Sequence, residues 1–298
     1  VSVVNPSNRA TFRAAHTNAT WNKVTLGSNI SLDLYNGHTL NVDSLIANGS
    51  CDGPIYIQSR SSGATATLNM DTSSYQDLNY VYVKDVAATG GASFVANDAQ
   101  DLGNNTGWTL NEFAAKKLYW VGATGNWTDA SHWSLISGGA GQTCAPTLND
   151  TVIFDSNSFT STGGTVTLNS LSTVGAMYWE SGVQGNPNFT GGNHFTVKKL
   201  LALDGTMRFS ITQYLYVNGS FRSNQNVTWN HTNWAYFNSD STNNFLDLNG
   251  MLWQSTVKFD RLTTNNNAII PEWDILSELN VSEHRQFYFV RGKLISNG

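Results

Sequence analysis

The chain has 298 residues, with a net charge of −5 and only 16 lysines plus arginines. Charged residues make up 12% of it, about half the usual share of roughly 25%. The cations are scattered, only Lys116-Lys117 and Lys198-Lys199 being adjacent, so there is no basic stripe to neutralise a phosphate backbone and nucleic acid is excluded as a partner. No apolar run approaches the ~18 residues needed to cross a membrane as a helix. The missing charge is replaced by Asn, Thr, Ser and Gly, which disfavour helix interiors and suit strands and turns.

Strand signals run along the whole chain as short β-branched or aromatic stretches: Ile55-Tyr56-Ile57, Tyr80-Val81-Tyr82-Val83, Thr165-Val166-Thr167-Leu168, Phe195-Thr196-Val197, Tyr214-Leu215-Tyr216-Val217, Val257-Lys258-Phe259 and Phe287-Tyr288-Phe289-Val290. Turn dipeptides separate them: Asn36-Gly37, Asn48-Gly49, Asp52-Gly53, Asp204-Gly205, Asn218-Gly219, Asn249-Gly250 and Asn297-Gly298. In these pairs Asn tolerates, and Gly supplies, a positive φ. The spacing suits either a sandwich of hairpins or a parallel β-helix whose coils stack on one another. Helical periodicity is confined to two turns, at residues 111–117 and 273–279. The pattern predicts an all-β protein of parallel β-helix or β-solenoid-like modules. The first module spans residues 1–111, a polar linker 112–118, and the second module 119–298.

Where the second module starts, the residues become specific. Tyr119-Trp120-Val121-Gly122-Ala123-Thr124-Gly125-Asn126-Trp127-Thr128-Asp129-Ala130-Ser131-His132-Trp133 is followed by Pro146 and by Asp150-Thr151-Val152-Ile153-Phe154-Asp155. This resembles a recurring module of giant Bacteroidetes cell-surface proteins, the gliding-motility-type adhesins exported by the type IX secretion system. Ala123 departs from that pattern, which usually has Gly there. The resemblance implies a structural stalk segment of a secreted, cell-surface adhesin. It also implies contact with the secretion machinery during export, and a surface polysaccharide or other extracellular ligand. The chain opens at Val1 without an initiator methionine or leader, and is expected to be a piece of a longer protein.

Candidate sites follow from residue chemistry. Trp120, Trp127 and Trp133 are read as a plug for the open end of a solenoid, with sugar stacking as the competing role. Trp179, Trp229, Trp234, Trp253 and Trp273 are expected as core or stacked ladder residues. The histidines His16, His38, His132, His194, His231 and His284 show no metal-ligand spacing, so no metal site is expected. Asp155, Glu180, Asp204 and Asp247 are isolated in sequence, and no catalytic residue is assigned; the chain is not expected to be an enzyme. The alternative is a carbohydrate-active β-helix, lyase- or tailspike-like, or a carbohydrate-binding module. No cofactor is expected; calcium would find its nearest donors at residues 98–101 and 150–155, which match no known loop pattern. The two cysteines, Cys51 and Cys144, either bridge to each other or stay separate. Ser44, Thr151 and Ser241 sit in a short pattern that resembles the O-glycosylation site of Bacteroidetes.

Overall fold

The computed structural model describes residues 2–3, 9–14, 17–261, 269–283 and 285–296. The fold is nearly all β, its sheets are parallel, and it contains about 13 turns of β-solenoid. The chain divides into two compact units, Val1–Ala114 and Ala115–Gly298. The expected linker at 112–118 overlaps a strand at each end, Trp108–Glu112 and Lys117–Trp120.

In the first unit, one ladder runs from Ala10–Arg13 through Ile30–Leu34, Ile55–Ser59 and Val81–Lys84 to Phe94–Asp101. Every pair in it is parallel. The register places Leu32 beside Ile57 and Ile57 beside Val83, and all three are fully buried. A second ladder joins Ala19–Leu26 to Thr39–Asn48, which then pairs with Ala66–Asn69 and Tyr75–Asn79. Strand periodicity produces these layers: alternate residues point inward, and each inward residue meets the same position of the next coil.

The abundant asparagines also align from coil to coil. Asn69 donates its amide to Asn41 Oδ1 at 3.0 Å, and Thr89 donates its hydroxyl to Asn69 Oδ1 at 2.8 Å. Asn79 bonds Asn48 in the same way at 2.7 Å, and Asn111 bonds Asn97 at 2.9 Å. An amide carries both donor and acceptor, so a column of amides satisfies itself without charge. The low charge content therefore belongs to the architecture as well as to the surface.

In the second unit, one sheet ascends through Lys117–Trp120, Thr151–Phe154, Ser172–Trp179 and Phe195–Leu203. It then continues through Leu215–Val217, Trp234–Ser239, Thr256–Arg261 and Phe287–Phe289. A second sheet stacks Gly125–Asn126, Thr165–Thr167, Asn188–Gly191, Met207–Ile211 and Val227–Trp229. Inward columns follow from the register: Val197, Val217, Phe237 and Phe259 form one, and Phe189, Phe209 and Trp229 another. Phe209 and Trp229 stack at 4.6 Å with their planes 4° apart.

Two sequence expectations are corrected here. Neither helical turn exists. Residues 108–112 form a strand paired with Phe94–Asp101, and Glu272–Ile275 is a strand between Asn244–Asp247 and Lys293–Ser296. Burying Trp273 in the column decides the conformation where local propensity is weak. The glycines of the turn dipeptides are not all there for positive φ. Gly37 and Gly250 do adopt it, at 74° and 86°. Gly205 and Gly219 do not; a Cβ there would lie 2.2 Å from Glu180 O and 2.1 Å from Lys199 O. These corners need glycine because the preceding coil's carbonyl occupies the side-chain position. Asn297-Gly298 lies outside the described residues.

The columns set a stability test. Phe237→Ala empties a buried position between Val217 and Phe259, and should destabilise the second unit by about 3–5 kcal/mol. Thr196→Ala, at a half-buried outward position, should change stability by less than about 0.5 kcal/mol. Equilibrium urea denaturation followed by tryptophan fluorescence measures both.

Candidate functional site

The aromatic motif that opens the second unit is a closed cap. Trp120, Trp127 and Trp133 are 0%, 1% and 0% exposed, so none offers a ring face to a ligand. Trp120 and Trp133 meet edge to face at 5.1 Å, and Trp127 and Trp133 at 4.9 Å. Trp127 rests on Phe189 and Phe195 at 5.7 and 5.4 Å. Two of the three polar tips of the cap are bonded: Trp133 donates Nε1–H to Trp127 O at 2.7 Å, and Trp120 donates to Ala123 O at 3.1 Å. His132 lies flat on Trp120 at 4.6 Å, with its Nδ1 2.8 Å from Val121 O.

The small residues of the motif follow from this packing. A Cβ at Gly125 would lie 1.9 Å from His132 Nε2, and Gly122 has φ of 86°. Ala123 has φ of 61°. That is the left-handed region, where an L side chain crowds its own carbonyl, and it is the position at which the resembling modules carry Gly. Asp129 holds the short 3₁₀ turn Ala130–His132 by accepting from Ser131 N–H at 2.9 Å and Ser131 Oγ at 2.7 Å. These two donors, the hydroxyl first, hold the Asp129 carboxyl below its ordinary range.

Of the carboxylates considered for catalysis or calcium, Asp101, Asp150, Asp155 and Asp204 are hydrogen-bonded by the chain itself, and Glu180 is exposed. Asp150 accepts from Lys116 N–H at 2.8 Å, from Thr147 N–H at 2.7 Å and from Thr147 Oγ1 at 2.8 Å. Asp155 accepts from Asn157 N–H, Ser158 Oγ and Ser137 Oγ. At residues 98–101, Asp98 adopts a φ of 46° and Asp101 accepts from Gly103 N–H and Asn105 Nδ2. Asp85 is buried, and the Asn104 amide, together with Gly63 N–H, keeps its carboxyl below the usual range. Among the described residues, no three His, Cys, Asp or Glu side chains group to hold a metal ion.

The fold does bring Asp204 and Asp247 to Arg222. Asp204 takes both nitrogens of an Arg222 fork, and Asp247 is its register partner on the next coil. The Asp204 hydrogen bond leads in raising the already high pKa of the guanidinium. Neither cysteine is a free thiol. Ser44 and Thr151 lie within strands, and Ser241 lies in a turn, where its Oγ accepts from Asn243 N–H. His16 and His284 lie outside the described residues.

His231 is fully buried, with Nδ1 2.9 Å from Ile211 O and Nε2 3.2 Å from Trp234 O. Its backbone carbonyl accepts from Ser255 Oγ, which in turn accepts from Trp229 Nε1. Burial leads in lowering its pKa, while the two carbonyls act in the opposite direction.

The unexpected feature is an aromatic face on the outside of the second unit. Trp234, expected as a core or stacked ladder residue, is half-buried and stacks on the outward side of an alternating strand. With Tyr214, Tyr216, Tyr236 and Tyr288 it forms one continuous group. Tyr216 and Tyr236 stack at 5.0 Å and 14°, Trp234 and Tyr236 at 5.7 Å and 16°, and Trp234 reaches Tyr288 at 5.1 Å. From sequence, Tyr214, Tyr216 and Tyr288 count only as strand markers, and Tyr236 is passed over. The signal was present as aromatic-x-aromatic in Tyr214-Leu215-Tyr216 and again one coil later in Trp234-Ala235-Tyr236.

The sequence matches no protein-family model, and comparison with curated proteins and with solved structures gives no match.

Two measurements follow. Ala123→Gly relieves the left-handed strain and should raise stability by up to about 1 kcal/mol in urea denaturation. His231 is held neutral in the fold, while the unfolded chain takes up a proton near its ordinary pKa of about 6.5. The unfolded state therefore binds more protons below that value, so its contribution to stability is full above about pH 6.5 and declines as pH falls. Thermal midpoints across this range should fall with pH, and His231→Gln should flatten the slope.

Proposed function

We propose that the chain is a structural stalk segment of a large secreted cell-surface adhesin of the gliding-motility type. The observation that carries this reading is the stacking of parallel coils within each unit. Every coil buries its apolar positions against the next, so length is added by repeating one kind of contact. The capped start of the second unit supports it, because a cap lets one such unit follow another in a single chain without exposing its core. The motif at 119–155 supports the same class, with type IX export and an extracellular location. The role asked of such a segment is to hold a ligand-binding surface away from the cell.

An antibody raised against residues 1–298 should label intact host cells, and labelling should disappear when the export route is disabled. Labelling only after cell lysis would overturn the proposal. The fragment should also give no turnover of polysaccharides in reducing-sugar and unsaturated-product assays. Turnover abolished by Asp204→Asn or Asp247→Asn would replace the stalk with an enzyme.

A further inference from the structure

The outward sheet of the second unit carries a chemically coherent surface that stability alone does not require. Inward positions of these strands already supply the core, with Ala235, Phe237, Val257 and Phe259 all at 0–1% exposure. Outward positions on the other sheet of this unit are filled by Thr, Asn, Arg and Ser, as in Thr165, Thr167, Asn188, Thr190, Arg208 and Ser210. Tyr216, Tyr236, Lys258 and Tyr288 instead occupy one register column on four successive coils. Tyr214 and Trp234 widen the column by one residue step, and His194 extends it, at 4.9 Å from Tyr214.

We propose that this face is a binding site for an uncharged polysaccharide, lying along the solenoid across the coils that carry Tyr214–Tyr216, Trp234–Tyr236, Lys258 and Tyr288. Aromatic rings pack against the apolar C–H faces of sugars while their polar edges stay wet. Successive strands are about 4.8 Å apart, comparable to the advance of one hexose along an extended glycan, so consecutive sugars meet equivalent positions on consecutive coils. Hydrogen-bonding groups border the rings. The hydroxyls of Tyr214, Tyr216 and Tyr236 have no hydrogen-bond partner among the described residues. Burial raises the pKa of Tyr216 and Tyr236, so both remain donors at neutral pH. Asn218 and Asn238 follow on the same outward alternation as half-buried residues.

The charges beside the rings are paired with one another. Lys258 lies 5.9 Å from the Tyr236 ring centroid and pairs with Asp260 at 3.1 Å, and Arg291 lies 3.6 Å from the same carboxylate. The first unit shows the contrast. Its outward Tyr56 and Tyr82 also touch at 5.2 Å, but Phe113 packs edge-on against Tyr82 and Arg9 covers Tyr56 at 3.9 Å. That column is closed by its own chain; in the column of the second unit, among the described residues, only Lys258 lies over a ring, at 5.9 Å.

This inference adds a ligand to the adhesin reading and rests on it for its biological purpose, while the site itself stands on geometry. The test is affinity gel electrophoresis of the whole chain in soluble β-glucan, xyloglucan, arabinoxylan, galactomannan and dextran, with alginate and polygalacturonate as anionic controls. At least one neutral glycan should retard the chain. Trp234→Ala and Tyr236→Ala should each weaken that binding about tenfold, with far-UV circular dichroism unchanged. Trp234→Tyr, which keeps a ring, should retain most of it and covers the case in which the alanine variant does not fold. Arg208→Ala, an outward change on the other sheet, should leave binding intact. No retardation by any neutral glycan, retardation by the anionic ones alone, or equal binding by the Trp234 and Tyr236 variants overturns the proposal. Glycan binding by a chain that never reaches the cell surface would remove the adhesin reading and leave this one standing; surface labelling without glycan binding would do the reverse.

Discussion

Parallel pairing between a coil and its successor is the constraint from which the rest of this molecule follows. Once each strand bonds the equivalent strand one coil later, every residue is placed beside its counterpart about 4.8 Å away. Like then meets like. Phenylalanine above phenylalanine is favourable inside, and asparagine above asparagine is favourable in an amide column. A charge above the same charge is unfavourable in any column. A chain of 298 residues with 12% charge is thus the composition such a stack selects. Charges that do fall in register are of opposite sign, as with Arg222 beside Asp247 and Glu272 beside Lys293.

The same constraint explains the glycines and the tryptophans. Corners must bring successive backbones close together, so Gly205 and Gly219 are fixed by a neighbouring carbonyl rather than by their own torsion. Columns leave their last member uncovered, so an end needs bulk. Trp120, Trp127 and Trp133 provide it with all three rings buried and the indole nitrogens of Trp120 and Trp133 bonded to nearby carbonyls.

Much of the architecture could be read from residues alone. Runs such as Tyr214-Leu215-Tyr216-Val217 specify a strand by composition and its two faces by alternation. The motif from Tyr119 onward marked the start of the second unit's aromatic plug. Whether neighbouring strands pair as hairpins or coils is not a local property, because both leave the same alternation and the same turn residues. The strands at 108–112 and 272–275 were misread for a related reason: their conformation is dictated by partners many residues away. Whether Trp234 is a core or a stacked ladder residue depends on which face its strand turns inward, and that is settled by the register with Leu215–Val217 and Thr256–Arg261. The outward aromatic group becomes visible only when residues one coil apart are set side by side.

The position of Trp127 has a consequence for how the chain acquires its structure. The indole is the first large core group of its unit to be synthesised after Trp120, yet its floor is Phe189 and Phe195. Until those residues emerge, the plug has nothing to seal, and its three indoles stay accessible to water and to any holding factor. Maturation of this unit is therefore vectorial in an inverted sense: the element that begins the stack closes only after later coils have been laid down. A chain threaded through an export channel in unfolded form would keep its stickiest segment open until the downstream coils arrived.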